Sequence, residues 1–185
     1  MKREVAARAR KIRLLVMDVD GVLTDGRMVL SDRGEELKMF HTHDGIGQAL
    51  AHRAGLRTAL VTGETSPIAK ARGEKLGVGT VVLGARRKGD VVDALLAEHG
   101  MSRDALAYIG DDLLDLPALQ RAGLAVTVAD AVADVKAVAH VVTKAAGGHG
   151  AVRECVELLL RAQGVWETVY RAFVEEHGGR VPGPG

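Results

Sequence analysis

Several carboxylates, one hydroxyl and one lysine stand at spacings that suit metal-assisted phosphoryl transfer. The candidates are Asp18 and Asp20 in an Asp-x-Asp pair, then Thr62 and Lys88, then Asp111, Asp112 and Asp115 in a Gly-Asp-Asp-x-x-Asp run. The carboxylates of Asp18 and Asp111 and the backbone carbonyl of Asp20 are hard oxygen ligands, which Mg²⁺ prefers. One carboxylate can attack phosphorus while another moves a proton, and lysine and threonine can hold phosphoryl oxygens.

The elements that must position these residues are strands and helices in alternation, which is typical of βαβ units and a parallel sheet. The predicted strands are 12–17, 58–61, 80–83, 107–109, 125–128 and 140–142. The predicted helices are 47–54, 67–76, 89–99, 113–122 and 151–162. Ligands bind at the carboxyl ends of the strands in such sheets, so the candidate residues are expected to meet at one edge.

One segment interrupts the alternation. Residues 27–30 and 36–40 alternate apolar and polar side chains around a glycine-containing turn at 31–35, which predicts a β-hairpin. We therefore predict an α/β fold, a three-layer Rossmann-like parallel sheet with an inserted hairpin and no cap domain. A single domain is expected over 1–177, followed by a flexible Gly/Pro-rich tail at 178–185.

Composition argues against several other classes of protein. The formal net charge is only +1 and aromatic residues make up 3%, so neither a nucleic acid nor an anionic membrane is an expected partner. The lone cysteine, Cys155, excludes an intramolecular disulfide and a cysteine-based zinc cluster, and its apolar neighbours predict a core position. No signal peptide pattern and no membrane-spanning run is visible, so a cytoplasmic protein is expected.

Each candidate motif also has a simpler explanation when it is taken alone. Asp-x-Asp-Gly is common in turns, and Lys88 follows two arginines in a basic segment. A threonine after a strand often caps a helix, although Ser66 is the better cap candidate for the helix at 67–76. The Gly-Asp-Asp run is also compatible with a loop and a helix cap. The occurrence of all four groups at the same end of successive predicted strands favours a catalytic site.

The motifs at 18–26, 62–63, 88 and 110–115 resemble the four motifs of the haloacid dehalogenase superfamily of phosphatases. Residues 34–40, 44–45 and 147–154 further resemble the 3-deoxy-manno-octulosonate 8-phosphate phosphatase family. This resemblance implies hydrolysis of phosphate monoesters of 3-deoxy-2-ulosonic acids, which are eight- or nine-carbon sugar acids. It implies these roles: Asp18 as nucleophile, Asp20 as general acid and base, Mg²⁺ ligation by Asp18, Asp20 and Asp111, phosphoryl binding by Thr62 and Lys88, and orientation by Asp112 and Asp115.

The resemblance also implies a site for the sugar acid. Its residues are Asp20, His41, Thr42, His43, Asp44, Gly45, Gly63, Glu64, Arg72, Lys75 and Lys88. Two departures remove cations found in the eight-carbon phosphatases, because Glu64 and Gln48 replace arginines. Glu64 with Arg72 and Lys75 resembles the 2-keto-3-deoxynononate 9-phosphate phosphatases, so a nine-carbon substrate is favoured. The alternative interpretation of His41 and His43 is that they share one face of a hairpin strand.

The spacing of the motifs leaves no room for a lid over the site. Phosphoryl transfer benefits from water exclusion, and an exposed hairpin needs a partner. The resembling family forms cap-less tetramers in which hairpins pack together, so a homotetramer is expected.

Two other functions stay open. One is a catalytically reduced regulatory domain of the kind associated with sugar nucleotidyltransferases, which the retained Asp18 and Asp111 argue against. The other is a phosphatase of broad specificity for small sugar phosphates. The glycine-rich run 147–150 fits either an anion-binding turn or a tight connection.

Overall fold

The computed structural model describes residues 2–181, without the side chains of residues 35 and 36. The strands are β1 (Leu14–Met17), β2 (Val29–Ser31), β3 (Gly34–Leu37), β4 (Arg57–Val61), β5 (Thr80–Val82), β6 (Leu106–Gly110), β7 (Leu124–Thr127) and β8 (Val141–Val142). The helices are α1 (Arg3–Ala9), α2 (Thr42–Arg53), α3 (Pro67–Lys75), α4 (Lys88–Glu98), α5 (Leu116–Leu119), α6 (Ala133–Val138), α7 (Ala151–Ala162) and α8 (Trp166–Glu176). Of the predicted tail, residues 182–185 lie outside the described residues.

A parallel sheet of six strands in the order β5-β4-β1-β6-β7-β8 forms the centre of the fold. Strands β1, β6 and β7 are buried at every residue, which explains why they are continuous apolar runs rather than alternating ones. Strand β1 pairs with β4 on one side and with β6 on the other. The carboxyl ends of these three strands are therefore neighbours, and helices flank the sheet. The predicted α/β fold class is confirmed.

The helices differ from the sequence prediction at several points. Helix α2 begins at Thr42 rather than at residue 47, because the ring of His41 accepts a hydrogen bond from the backbone N–H of His43 and caps the helix. The predicted helix 113–122 is a 3-10 turn at Leu113–Asp115 followed by the four-residue α5. Helices α1, α6 and α8 were not predicted. No described helix has the length and apolarity that crossing a membrane requires.

The predicted hairpin is present, with shorter strands than expected. Strands β2 and β3 pair antiparallel in a two-stranded sheet of their own, and the register shifts between Val29 and Leu30. Strand β3 ends at Leu37, so His41 and His43 belong to the start of α2 and not to a hairpin strand. Apolar side chains in and directly after the hairpin are exposed, notably Leu30, Leu37 and Met39. The hairpin thus presents an apolar surface next to the sheet.

Candidate active site

The loop after β1 holds Asp18 and Asp20 in a fixed turn. The backbone N–H of Val19 donates to Asp18 Oδ1 at 2.7 Å, and the carbonyl of Val19 accepts from the N–H groups of Leu23 and Thr24. Gly21 has a φ of +85°, and a Cβ at that position would overlap the Asp111 carboxylate. A glycine is therefore required for Asp111 to approach the loop that carries the predicted nucleophile.

Lys88 joins two buried carboxylates at the first residue of α4. Its Nζ lies 2.9 Å from Asp18 Oδ2 and 2.7 Å from Asp115 Oδ1. Burial acts against the charged form of Lys88, but the neighbouring carboxylates outweigh it and raise its pKa. The predicted phosphoryl-binding lysine is thus held in its charged form beside the predicted nucleophile.

Asp115 uses its carboxylate to organise the site. Its Oδ1 accepts from Lys88 and from the hydroxyl of Tyr108 at 2.6 Å, and its Oδ2 accepts from the backbone N–H groups of Asp111 and Asp112. The Asp112 side chain in turn accepts from the N–H of Leu113 and caps the 3-10 turn. The role of Tyr108 is not visible in the sequence, since a tyrosine within an apolar strand carries no signal of a buried polar contact.

The carboxylates at this edge fit a divalent cation. One carboxylate oxygen from each of Asp18, Asp111 and Asp115 lies within 4.8 Å of the others. Burial first, and then the charges of Asp115 and Asp112, raise the pKa of Asp111 to about 7, and its buried Oδ1 has no hydrogen-bond partner among the described residues. Burial also raises the pKa of Asp18 well above its ordinary value. A bound cation would offset the cost of burying the charged carboxylates of Asp18 and Asp111. The oxygens of Asp115, by contrast, already accept four hydrogen bonds.

Asp20 is held from two sides. The hydroxyl of Thr62, which follows β4, donates to Asp20 Oδ2 at 3.1 Å. The ammonium of Lys38, which follows β3, lies 2.5 Å from Asp20 Oδ1. The simpler explanation of Thr62 as a helix cap is wrong, because Ser66 caps α3 by accepting from the N–H of Ile68.

These side chains surround a cavity of about 430 Å³ at the carboxyl edge of the sheet. Its lining residues are Asp18, Asp20, Gly26, Met28, Thr62, Gly63, Glu64, Lys88, Asp111, Asp112, Leu113, Leu114 and Asp115. Every residue predicted to act in catalysis or metal binding is among them, together with Gly63 and Glu64 of the predicted substrate set.

The other residues of the predicted substrate set do not line this cavity of the single chain. They are His41, Thr42, His43, Asp44, Gly45, Arg72 and Lys75, which lie at the start of α2 and on α3. Asp44 is fully buried and its Oδ1 accepts from the backbone N–H of Arg153 in α7, so it ties two helices together. The guanidinium of Arg72 lies 5.0 Å from the centre of the Phe40 ring, while Lys75 is exposed.

The glycine-rich run 147–150 packs against the loop after β1. The N–H of Gly148 donates to the carbonyl of Val22, and that of Gly147 donates to Asp130 Oδ1. A Cβ on Gly147 would overlap the backbone of Gly21. Since both of these N–H groups bind protein oxygens, the structure favours the tight connection over the anion-binding turn.

Comparisons with known proteins show which family this chain is similar to. A family model described as haloacid dehalogenase-like hydrolase matches residues 75–154. The 3-deoxy-D-manno-octulosonate 8-phosphate phosphatase of Escherichia coli is 42% identical over 161 residues, which cover 87% of this chain and 86% of that protein.

Solved structures extend the similarity to the fold. The 3-deoxy-D-manno-octulosonate 8-phosphate phosphatase of Moraxella catarrhalis, in complex with a magnesium ion, a phosphate ion and KDO, has a TM-score of 0.90 at 35% identity, over 94% of this chain and 99% of that one. The cobalt-bound deoxy-D-mannose-octulosonate 8-phosphate phosphatase of Haemophilus influenzae has a TM-score of 0.85 at 37% identity, over 87% of this chain and 94% of that one.

Proposed function

This chain belongs to the 3-deoxy-D-manno-octulosonate 8-phosphate phosphatase family of haloacid dehalogenase-like hydrolases, and from that premise we propose that it hydrolyses the phosphate monoester of a 3-deoxy-2-ulosonic sugar acid. It is a phosphoric monoester hydrolase. The observation that carries the proposal is the meeting of Asp18, Asp20, Lys88 and Asp111 around one cavity.

We assign the chemical steps to two carboxylates. An oxygen of Asp18 attacks phosphorus and the bond from phosphorus to the sugar oxygen breaks, which leaves an aspartyl phosphate. Asp20 gives its proton to the leaving sugar oxygen. Asp20 then takes a proton from a water molecule that attacks the aspartyl phosphate, which releases inorganic phosphate and restores Asp18.

The remaining polar residues bind and orient. Lys88 and the Thr62 hydroxyl hold phosphoryl oxygens, and Asp112 and Asp115 keep the surrounding groups in place. Asp18, Asp111 and the backbone carbonyl of Asp20 would hold Mg²⁺. Bound there, Mg²⁺ supplies positive charge to the phosphoryl group.

Two substitutions and metal removal test this mechanism. Asp18→Asn removes the nucleophile, so turnover should fall by orders of magnitude while the protein stays folded. Asp20→Asn should lose proton transfer, typically worth about 10²–10⁴-fold. EDTA should abolish phosphate release and Mg²⁺ should restore it, whereas Ca²⁺ should substitute poorly because it does not enforce octahedral geometry. Substantial turnover by folded Asp18→Asn would refute the aspartyl phosphate route.

Two observations bear on the length of the substrate. Curated relatives are named for the eight-carbon ester, which favours 3-deoxy-D-manno-octulosonate 8-phosphate. Glu64 lines the cavity and is exposed, so it can accept hydrogen bonds from sugar hydroxyls. Its combination with Arg72 and Lys75 resembles the nine-carbon phosphatases, which favours 2-keto-3-deoxynononate 9-phosphate. Both candidates are ulosonate phosphates.

A panel of kcat/KM values over ulosonate phosphates and simple sugar phosphates, with Mg²⁺ present, separates these substrates. If Glu64 selects the longer acid, Glu64→Arg should shift the preference towards the eight-carbon ester. A wild-type preference for the eight-carbon ester of tenfold, about 1.4 kcal/mol, would contradict the nine-carbon assignment. Equal rates on unrelated sugar phosphates would instead indicate a broad phosphatase.

We further propose that the enzyme works as a homotetramer. Met28, Leu113 and Leu114 are exposed at the cavity, and the hairpin beside it presents Leu30 and Met39. A neighbouring copy packed on these side chains would cover the cavity and exclude water from it. Light scattering should give four copies, and an active monomer would contradict the proposal.

A further inference from the structure

Lys38 contacts the carboxylate of Asp20 from the hairpin. The side chain of Lys38 is fully buried, whereas that of Asp20 is one-fifth exposed. The Nζ atom of Lys38 lies 2.5 Å from Asp20 Oδ1. This is a charge-assisted hydrogen bond between residues 18 positions apart in the sequence. A lysine is almost never fully buried unless it is paired, and the Asp20 carboxylate is one of the partners of Lys38.

The second contact of Asp20 is the hydrogen bond from the Thr62 hydroxyl. The Thr62 hydroxyl donates to Asp20 Oδ2 in the structure, but it has a single hydrogen to donate. If that hydrogen goes to a phosphoryl oxygen, as the proposed function requires, Asp20 loses this bond. The ammonium of Lys38 has three hydrogens and keeps its bond to Asp20 in either state.

We propose that Lys38 is a positioning residue: its bond to Oδ1 orients the Asp20 carboxyl group so that Oδ2, which Thr62 releases, carries the proton that passes to the leaving sugar oxygen. The inference rests on the proposed role of Asp20 as general acid and base. Because Lys38 directly follows β3, the same contact links proton transfer to the position of the hairpin. A neighbouring copy packed against the hairpin would then fix the position of the Asp20 carboxyl group as well as cover the cavity opening.

The test compares two leaving groups in the holoenzyme with Mg²⁺. An alkyl phosphate, such as the ulosonate ester, needs a proton on its leaving oxygen, whereas the p-nitrophenolate leaving group departs without one. Lys38→Met, which keeps the chain length and removes the charge, should lower kcat/KM for the alkyl ester by about 10²-fold, as a misplaced catalytic group does. It should change kcat/KM for p-nitrophenyl phosphate little. Lys38→Arg should restore part of the alkyl activity.

Two controls separate the possible causes. Arg33→Met removes an exposed cation from the same hairpin and should leave both esters unaffected. Asp20→Asn should show the same selectivity for the leaving group as Lys38→Met. If Asp20→Asn shows no such selectivity, the assigned role of Asp20 fails and this inference fails with it. If Asp20→Asn is selective but Lys38→Met is unimpaired, or loses both esters equally, the inference alone is overturned, because equal losses indicate a structural role.

Discussion

Removing the ammonium of Lys88 should destabilise the metal-free protein strongly. Lys88 is 2% exposed and lies within 2.9 Å of Asp18 and 2.7 Å of Asp115, whose side chains are 8% and 1% exposed. Methionine in its place keeps most of the volume but leaves two buried carboxylates without their cation.

The size of the destabilisation follows from the burial of Lys88 and its two carboxylate partners. Breaking a buried ion pair by removing one partner costs about 3–5 kcal/mol. For a chain of 185 residues, each kcal/mol lowers Tm by about 2–4 °C, so Lys88→Met should lower Tm by about 6–20 °C. Lys70→Met, at an exposed position of α3, is the matched control and should change Tm little.

The loss of stability in Lys88→Met should depend on pH, and the pKa of Asp18 sets the direction of that dependence. Burial and the charge of Asp115 already raise the pKa of Asp18, while Lys88 lowers it. Without Lys88 this pKa rises further, so above the unfolded value of about 3.9 the folded variant binds protons that the unfolded chain has released. The folded variant therefore gains stability relative to wild type as the pH falls.

The assay is thermal unfolding followed by circular dichroism in EDTA buffer at pH 8 and at pH 5.5. Lys88→Met should differ most from wild type at pH 8, and the difference should narrow at pH 5.5. A Tm change of less than about 2 °C, or an equal loss at the two pH values, would show that the carboxylates do not depend on Lys88 for their neutralisation.

Three further outcomes are expected. Tyr108→Phe deletes a donor to the buried Asp115 and should lower the unfolding free energy in urea by about 1–3 kcal/mol; an unchanged value would contradict the contact. Burial raises the pKa of the Cys155 thiol to about 12, so iodoacetamide at pH 8 should label it only after unfolding, and rapid native labelling would contradict its burial. Gly147→Ala should lower Tm and kcat together, since its Cβ would overlap the loop after β1, whereas Gly79→Ala, with its Cβ 3.6 Å from the nearest atom, should be tolerated.

Local rules account for much of what could be predicted from the sequence. Buried parallel strands have to be apolar on both faces, so the runs that include Leu14–Met17 and Leu106–Gly110 are visible in the sequence, and each ends next to a candidate carboxylate. Parallel strands then bring those ends to one edge, which is why Asp18, Thr62 and Asp111 could be expected together. Predicting the strands and the edge where these residues meet needs only hydrophobic periodicity and sheet topology.

The helix predictions fail where a local cap or a distant contact decides the boundary. Helix α2 starts early because the His41 ring caps it and Asp44 bonds to Arg153, which is 109 positions away. The predicted helix 113–122 is shortened because Asp112 and Asp115 cap a 3-10 turn that also organises the site. Hydrophobic periodicity carries no information about such caps.

The sequence by itself determined the types of the candidate catalytic side chains, their order along the chain and the edge of the sheet where they meet. Only the tertiary structure decided which side chains support them, namely Tyr108 beneath Asp115 and Lys38 against Asp20, and that Arg72 and Lys75 lie outside the cavity of their own chain. The physical reason is that a buried polar contact requires two polar atoms to be placed to within a few tenths of an ångström of hydrogen-bonding distance. Those distances are fixed by packing, which periodicity and motif spacing do not encode.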